Sequence, residues 1–270
     1  MRVNVVEHFM GEGWQLRPAG GATGEAYVAE QGQQKIFIKR NSSPFLAVLS
    51  AEGIVPKLLW TKRLESGDVI TAQQWVNGRE LKALEMRESR VAKLLAKIHQ
   101  SGELLDMFKR MGNNPLEPRM ILDAVVQKTA SLHFRDSKMD AALAFLQAEL
   151  PRVTTGEYVV CHADVHHNNW IEDDKGSLFL IDWDGAEVAD PALDLAPLLY
   201  DYIPKEEWDS FLASYGHRLT DSLRERITWY RVVQCADHVL WCHQKQDKEG
   251  AFKWLQVLGD LVKKKDESSI

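Results

Sequence analysis

Cysteine is scarce in this chain, and the spacing of the cysteines offers no structural cross-link. The 270 residues include three of them, Cys161, Cys235 and Cys242. Their number is odd and no two form a Cys-x-x-Cys pair, so the sequence indicates neither a disulfide framework nor a structural zinc site. Reduced thiols are typical of the cytosol, and we therefore expect a cytoplasmic protein.

The chain also lacks long apolar runs and any excess of positive charge. No apolar run approaches the roughly 20 residues that span a membrane, and the N-terminal stretch MRVNVVEHFMGEGW has no apolar core long enough for a signal peptide. The formal net charge is −6, which does not suit nucleic acid or an anionic membrane as the main partner. We predict neither membrane insertion nor nucleic-acid binding.

The N-terminal part of the chain is predicted to form strands. Hydrophobic residues make up 45% of the chain, which is enough for a globular protein of two lobes with separate cores. The stretches QLRPAGGATGEAYVAEQ and KIFIKR are typical of strands, and KLLWTKRL with DVITAQQWV is typical of a hairpin. A short helical stretch, PFLAVLSAEGIVP, precedes that hairpin. The pattern predicts a mostly antiparallel sheet with one helix.

After WVNGREL the pattern changes to that of helices. RESRVAKLLAKIHQSG and MDAALAFLQAEL have apolar residues at helical spacing, and further helices are predicted beyond Pro191. Two short apolar strands, YVVCHADV and SLFLIDWDG, interrupt the helices and end in polar residues. The sequence therefore predicts an α+β protein with a β-rich lobe over residues 1–77 and a larger helical lobe over residues 78–270.

The loop CHADVHHNNW, residues 161–170, gathers the most polar chemistry in the chain. Four of its side chains are potential metal ligands: His162, Asp164, His166 and His167. However, the order His-x-His-x-Asp-His of a binuclear hydrolase is absent, and so is an HExxH helix. A zinc site would also leave Asn168 and Asn169 without a role, so the pattern disfavours zinc.

Phosphoryl transfer explains the same residues better. It needs a carboxylate at the attacking hydroxyl, oxygen ligands for magnesium, a cation on the phosphates and a covering loop. Asp164 offers the carboxylate, and Lys39 at the end of IFIKR offers the cation. Asn169 and Asp182 follow or end neighbouring strands, and their hard oxygens suit Mg²⁺. The glycines of GGATGE lie between two strands, where backbone N–H groups can face phosphate oxygens.

Four segments resemble one family. HADVHHNN resembles the His-x-Asp-x-x-x-x-Asn catalytic loop of the aminoglycoside phosphotransferase and choline kinase family, and IDWDG resembles its magnesium-binding segment. DPALDLA and VAKLLAKIHQSG resemble two further motifs of that family. The resemblance runs from about Gly20 to Pro197, and it implies a protein-kinase-like bilobal fold that uses ATP and Mg²⁺. The layout also resembles a branch that includes a cell-cycle regulator kinase of Gram-positive bacteria.

The resemblance implies roles for individual residues. Asp164 corresponds to the catalytic base, His162 to a histidine that braces the loop, and Asp194 to an aspartate that holds the loop by hydrogen bonds. Asn169 and Asp182 correspond to the magnesium ligands. The residues predicted to bind the nucleotide in the first lobe are Gly20, Gly21, Thr23, Gly24, Lys39, Glu52, Gln74 and Trp75.

The sequence departs from the family pattern at several of these positions. Ala163 stands where glycine is usual, and His167 and Asn168 stand where proline and glycine are common. Glu52, the acid expected to pair with the phosphate-binding lysine, lies near the end of an unusually short helix. Asp184 fits either a third metal neighbour or a salt-bridge partner.

One helix is predicted to choose the phosphate acceptor. In WYRVVQCADHVLWCHQ four residues share a face: Tyr230, Gln234, Asp237 and Trp241. Rings beside a carboxylate can bind a quaternary ammonium by cation–π attraction, and they can equally stack on a sugar or nucleobase. The alternative is a core face with one satisfied aspartate. We expect a small-molecule alcohol as acceptor, with a sugar or nucleoside hydroxyl favoured over choline.

A protein of another class would share this pattern. In that interpretation the kinase fold is a regulatory scaffold that docks a cell-division protein, with little or no turnover. The complete set of Lys39, Asp164, Asn169 and Asp182 favours an active small-molecule kinase, although such an enzyme could also dock a partner.

Overall fold

The chain forms two compact units whose sequences interleave. The computed structural model describes residues 13–20, 25–154 and 156–267. The first unit comprises Met1–Lys82 and His167–Gly185, and the second comprises Ala83–His166 and Ala186–Ile270. The predicted lobes, residues 1–77 and 78–270, are each one continuous stretch of the chain. Each compact unit instead combines two separate stretches.

A five-stranded antiparallel sheet is the larger of two sheets in the first unit. Its order is β1-β2-β3-β5-β4, and the strands are β1 (Gln15–Gly20), β2 (Ala26–Gln31), β3 (Gln34–Arg40), β4 (Leu58–Arg63) and β5 (Val69–Gln74). Helix α1 (Leu46–Ala51) lies between β3 and β4 in the chain. Ile36 and Ile38 belong to the buried core of this sheet. Because side chains alternate along a strand, Lys39 belongs to the face opposite Ile38.

A second, three-stranded sheet explains why the units interleave. Strand β6 (Gly78–Glu80) pairs antiparallel with β8 (Trp170–Asp173), which pairs with β9 (Leu178–Leu180). A Cβ added to Gly78 would lie 2.3 Å from the Glu172 carbonyl oxygen, so glycine permits the close approach of the two backbones. This pairing places the β8–β9 hairpin in the first unit.

Helices dominate the second unit. They are α2 (Ser89–Gln100), α3 (Gly102–Arg110), α4 (Pro118–Ser131), α5 (Ser137–Glu149), α6 (Ala192–Tyr202), α7 (Trp208–Tyr215), α8 (Asp221–Gln244) and α9 (Lys248–Glu267). Strand β7 (Val159–Cys161) pairs antiparallel with β10 (Glu187–Ala189). Within the described residues, none of the helices has the length and apolar character that a membrane crossing requires.

Helix α8 lies at the centre of this unit. It packs against α4, α5, α6 and α9, and residues around much of its circumference are buried, among them Ile227, Trp229, Val233 and Leu240. A helix that is apolar on most sides is expected in a core. The Thr220 hydroxyl accepts a hydrogen bond from the Leu223 N–H at 3.2 Å and thus caps the start of the helix.

Candidate active site

A lysine and two aspartates form a charged cluster in the first unit. The Lys39 ammonium lies 3.0 Å from an Asp182 carboxylate oxygen and 2.8 Å from one of Asp184. The lysine side chain is 20% exposed and both carboxylates are 56% exposed. Burial alone would lower the pKa of Lys39, but the hydrogen bonds that its ammonium donates to Asp184 and Asp182 outweigh burial and raise that pKa. Lys39 is therefore a fixed positive charge at neutral pH.

The β8–β9 hairpin positions the predicted metal ligands. Asn169 lies directly before β8 and Asp182 follows β9, and the Ile181 N–H donates to the Asn169 carbonyl at 2.8 Å. This bond joins the two segments beside the predicted ligands. Asp182 has a φ of +65°, a left-handed conformation that aspartate tolerates better than most residues. The sequence thus brings Asn169 and Asp182 to the same end of the hairpin.

The turn after Asp182 is held by Trp183. Its indole N–H donates to the Leu180 carbonyl at 2.7 Å, and its ring meets the Phe45 ring edge-on at 6.0 Å between centroids. Because Trp183 is buried, the neighbouring Asp182 and Asp184 are both turned to the accessible side, where they reach Lys39. The sequence left the role of Asp184 open, and in the structure it is a salt-bridge partner.

The oxygens of this cluster fit a magnesium ion. Asp182 carries a carboxylate and Asn169 an amide, both hard donors of the kind that Mg²⁺ binds together with phosphate oxygens. Two carboxylates that share a single ammonium also leave negative charge for a further cation. The donor set is therefore compatible with the metal that the sequence predicts.

The loop that carries Asp164 lies in the second unit and is held by a buried carboxylate. Asp194 accepts hydrogen bonds from the His162 N–H at 2.7 Å and from the Ala163 N–H at 2.8 Å. The same carboxylate lies 3.0 Å from His99 Nε2, and Asp194 and His162 have no exposed surface. Asp194 thus bonds the backbone of two successive residues of the loop that carries Asp164.

Ala163 has a conformation that its side chain disfavours. Its φ is +64°, in the left-handed region where a Cβ costs about 1–2 kcal/mol. Glycine adopts this region without that cost. The two backbone hydrogen bonds to Asp194 hold Ala163 and its neighbour in place. Position 163 therefore has a backbone conformation that favours glycine, with a residue that strains it.

Asp164 itself is accessible. Its side chain is 57% exposed, and one carboxylate oxygen lies 3.4 Å from His166 Nε2. The Asp164 N–H points to His162 Nδ1 at 3.3 Å, so the buried histidine also supports the backbone of this residue. An exposed carboxylate on a braced loop is suited to accept a proton from a bound hydroxyl.

The other residues predicted to bind nucleotide lie at several places in the first unit. Gly20 ends β1, whereas positions 21, 23 and 24 lie outside the described residues. This applies to the predicted residues Gly21, Thr23 and Gly24. Gln74 ends β5 with an exposed side chain. The Trp75 indole N–H donates to the Asn77 side chain at 3.1 Å.

Glu52 does not take the position expected of it. It caps the C-terminal end of α1, and within the described chain the ion-pair partners of Lys39 are Asp182 and Asp184. The structure therefore pairs Lys39 with these two aspartates and not, as the sequence had led us to expect, with Glu52. Helix α1 has only six residues, and the two aspartates provide the negative charge that Glu52 was expected to supply.

The predicted acceptor face of α8 runs from the core to the surface. Tyr230 has no exposed surface, which assigns it to packing. The Gln234 side-chain amide donates to the Leu193 carbonyl at 2.8 Å. Asp237 lies 2.6 Å from the Lys128 ammonium and its side chain is 50% exposed, while Trp241 is 51% exposed. Gln234 is partly exposed, so of the four residues only Tyr230 is closed to a ligand, and Asp237 and Trp241 are about half exposed.

Some contributors to the site could not be recognised as such from the sequence. Lys128 on α4 lies 109 positions from Asp237, and this spacing carries no local signal. His99 is buried, and its Nε2 lies 3.0 Å from the Asp194 carboxylate. Its place in VAKLLAKIHQSG was the one available signal.

His99, Asp194 and Cys161 also form the one compact group of potential metal ligands among the residues that the structure describes. All three are buried and hydrogen-bonded: the Cys161 thiol points to the Asp190 carbonyl at 3.4 Å. Burial raises the pKa of this thiol well above its usual value. Since zinc binds the thiolate, the group is better explained as a hydrogen-bonded core cluster.

The fold belongs to a known class. The chain has a kinase-like fold, and the predicted fold class is confirmed. The crystal structure of choline kinase LicA from Streptococcus pneumoniae matches with a TM-score of 0.72 and 18% identity, over 97% of this chain and 99% of that one. A choline/ethanolamine kinase family protein from Mesorhizobium loti matches with a TM-score of 0.69 and 16% identity, over 97% and 95%.

A third structure matches equally well. The GDP complex of aminoglycoside 2'-phosphotransferase-IIIa gives a TM-score of 0.70 at 13% identity, over 98% of both chains. At these identities the likeness establishes the fold alone. The family follows from the sequence itself, since residues 16–230 match the phosphotransferase enzyme family. The protein therefore belongs to that family, as its motifs predicted.

Proposed function

We propose that this protein transfers the γ-phosphoryl group of ATP to the hydroxyl of a small molecule, with Mg²⁺ bound by Asn169 and Asp182. The observation that carries the proposal is the Lys39–Asp182–Asp184 cluster, in which a fixed cation lies beside hard oxygen donors. Similar structures were solved with AMP and with GDP, which supports a nucleotide as the donor.

Each residue then has a distinct role in the reaction. Lys39 would bind phosphate oxygens of the nucleotide. Asp184 would keep the Lys39 ammonium in place, and Asp182 would be one of the residues that hold the metal. When bound, Mg²⁺ supplies neutralising charge on the phosphates. Asp164 orients the acceptor hydroxyl and takes its proton as the new O–P bond forms. The bond between the γ-phosphorus and the bridging oxygen breaks, and ADP leaves.

The acceptor that we favour is a neutral alcohol, either a sugar or a nucleoside, with choline second. Asp237 and Trp241 are the half-exposed members of the predicted acceptor face. A carboxylate can accept a hydrogen bond from a hydroxyl, and an aromatic ring can stack on a sugar or a base. A quaternary ammonium would instead compete with the Lys128 ammonium, which lies 2.6 Å from Asp237. This existing ion pair favours an uncharged acceptor.

The test is a screen of alcohols for ATP consumption, made with wild type and with Asp164→Asn. Asn cannot accept a proton, and loss of a general base typically costs about 10²–10⁴-fold in rate. We expect the variant to bind Mg-ATP as wild type does and to lose turnover. Asp140→Asn, on the exposed side of α5, is the matched control and should retain full activity.

Two outcomes would contradict the proposal. Wild-type turnover in Asp164→Asn would exclude Asp164 as the base. ATP consumption with none of the sugars, nucleosides or choline would favour the other interpretation of the sequence, a kinase-fold scaffold in the cytoplasm that docks a cell-division protein. A pull-down with wild type and Asp164→Asn would then identify that partner.

A further inference from the structure

A tyrosine on α7 lies at the far end of the hydrogen bonds that hold the catalytic loop. Tyr215 is the last residue of that helix and is 2% exposed. Its hydroxyl lies 2.6 Å from His99 Nδ1, and the two rings meet edge-on at 5.6 Å between centroids. Tyr215 is 116 positions from His99 in the sequence, so no local pattern predicts the contact.

The protons of this group can be assigned from its acceptors. Asp194 is an acceptor toward its three donors, so His99 Nε2, at 3.0 Å from it, carries a hydrogen. Where the ring carries its hydrogen on Nε2 alone, Nδ1 accepts, and the Tyr215 hydroxyl, 2.6 Å away, is the donor there. Burial raises the pKa of Tyr215, which keeps the phenol protonated. The hydroxyl thus fixes the ring with Nε2–H directed at Asp194.

At the other end of the group lies the strained residue of the loop. Asp194 accepts the N–H groups of His162 and Ala163, and Ala163 has a φ of +64°. A residue persists in this region only where its surroundings hold it. Any freedom gained by the Asp194 carboxylate would therefore act first on Ala163 and on the direction of the next residue, Asp164.

We propose that Tyr215 is a positioning residue of the catalytic loop, which acts through His99 and Asp194 to hold Ala163 in its left-handed conformation. The consequence for catalysis rests on the proposed role of Asp164. The structural part of the inference does not, since it concerns only the backbone of the loop. Tyr215 neither touches Asp164 nor is required as an acid or base.

Amide hydrogen exchange of the unliganded protein tests this inference. Tyr215→Phe keeps the ring and removes the hydroxyl, leaving a buried acceptor without its donor. We expect exchange at His162 and Ala163 to become about tenfold faster, which corresponds to about 1.4 kcal/mol, while core amides of α8 change far less. Tyr200→Phe is the matched control, because the Tyr200 hydroxyl lies 3.2 Å from Thr228 Oγ1 and outside this group.

A second substitution separates positioning from packing. Ala163→Gly removes the steric cost of the left-handed conformation, so in this background Tyr215→Phe should have a much smaller effect on exchange and on turnover. Neighbours that act through one another give non-additive effects in such a cycle. Equal effects of Tyr215→Phe with Ala163 and with glycine would overturn the proposal, as would unchanged exchange in the single variant.

Wild-type protein provides a further check that does not depend on any variant folding. Nitrogen-15 NMR of the histidine rings should show the hydrogen of His99 on Nε2, with Nδ1 as an acceptor. A hydrogen on Nδ1 with a bare Nε2 would overturn the proposal. If exchange behaves as expected but wild type consumes no ATP with any alcohol, the proposed function fails and the positioning role of Tyr215 stands.

Discussion

Asp182→Asn is the sharpest test of the metal site, because it removes a charge and preserves shape. The Asp182 carboxylate lies 3.0 Å from the Lys39 ammonium and is 56% exposed. Ion pairs at such exposure typically contribute about 0.2–1 kcal/mol, and Asp184 retains its contact with Lys39 at 2.8 Å. The unliganded variant should therefore melt within about 4 °C of wild type, since 1 kcal/mol shifts Tm by about 2–4 °C at this size.

The loss should appear when the ligand is added. At a concentration 100 times its Kd, a ligand stabilises the folded protein by about 2.7 kcal/mol, which corresponds to a rise in Tm of roughly 5–10 °C. For wild type we expect most of this rise with ATP to require Mg²⁺. In Asp182→Asn the difference between ATP with and without Mg²⁺ should shrink to near zero, because the substitution removes the one negatively charged ligand of the proposed metal site.

The assay is a thermal melt with calorimetry under four conditions: no ligand, Mg²⁺ alone, ATP alone and both. Asp184→Asn is the matched control, since Asp184 pairs with the same lysine at the same exposure. We expect this control to retain most of the Mg²⁺ dependence. Equal affinity of wild type for ATP with and without Mg²⁺ would refute the metal assignment, and so would an undiminished Mg²⁺ effect in Asp182→Asn.

Three further predictions concern the acceptor, the second sheet and alkaline pH. Asp237→Ala should raise KM for the acceptor, leave KM for ATP unchanged and scarcely alter Tm, because its pair with Lys128 is half exposed. Gly78→Ala should destabilise the protein by about 1–3 kcal/mol in urea unfolding, since its Cβ would meet the Glu172 carbonyl at 2.3 Å. The pKa of Lys39 is raised in the folded protein. The stabilising contribution of its charge is therefore complete below the pKa of an unfolded lysine, about 10.4, and is lost as pH rises through the pKa of the folded protein. The stability difference between wild type and Lys39→Met should shrink above that pH range.

Further measurements check each of these three predictions. Trp241→Ala should follow the kinetic pattern of Asp237→Ala, and a large fall in Tm with unchanged acceptor kinetics would place this face in the core. Gly102→Ala meets no atom within 4 Å and should cost far less than Gly78→Ala. For Lys39→Met, a stability difference that stays constant to the highest pH would show that the charge of Lys39 does not act through Asp182 and Asp184.

Local patterns in the sequence determined the elements and the chemistry of the loop. KIFIKR predicted a strand, and in the structure Ile36 and Ile38 are buried while their neighbours are less so, because side chains alternate between the faces of a strand. The short spacing of Asp164 and Asn169, with the strand that ends at Asp182, was sufficient to predict phosphoryl transfer. Such inferences are possible because strand and turn geometry depends on neighbours in the chain, and because the family's motifs are local.

The tertiary structure alone decided which distant residues meet. Lys39 pairs with Asp182 across 143 positions rather than with Glu52, and β6 pairs with β8, which makes the two units interleave. Tyr230 has the helical spacing of the predicted acceptor face but lies wholly in the core. Periodicity shows which residues share a face of a helix and not what packs against that face. That depends on how elements far apart in the chain pack together, which no local pattern records.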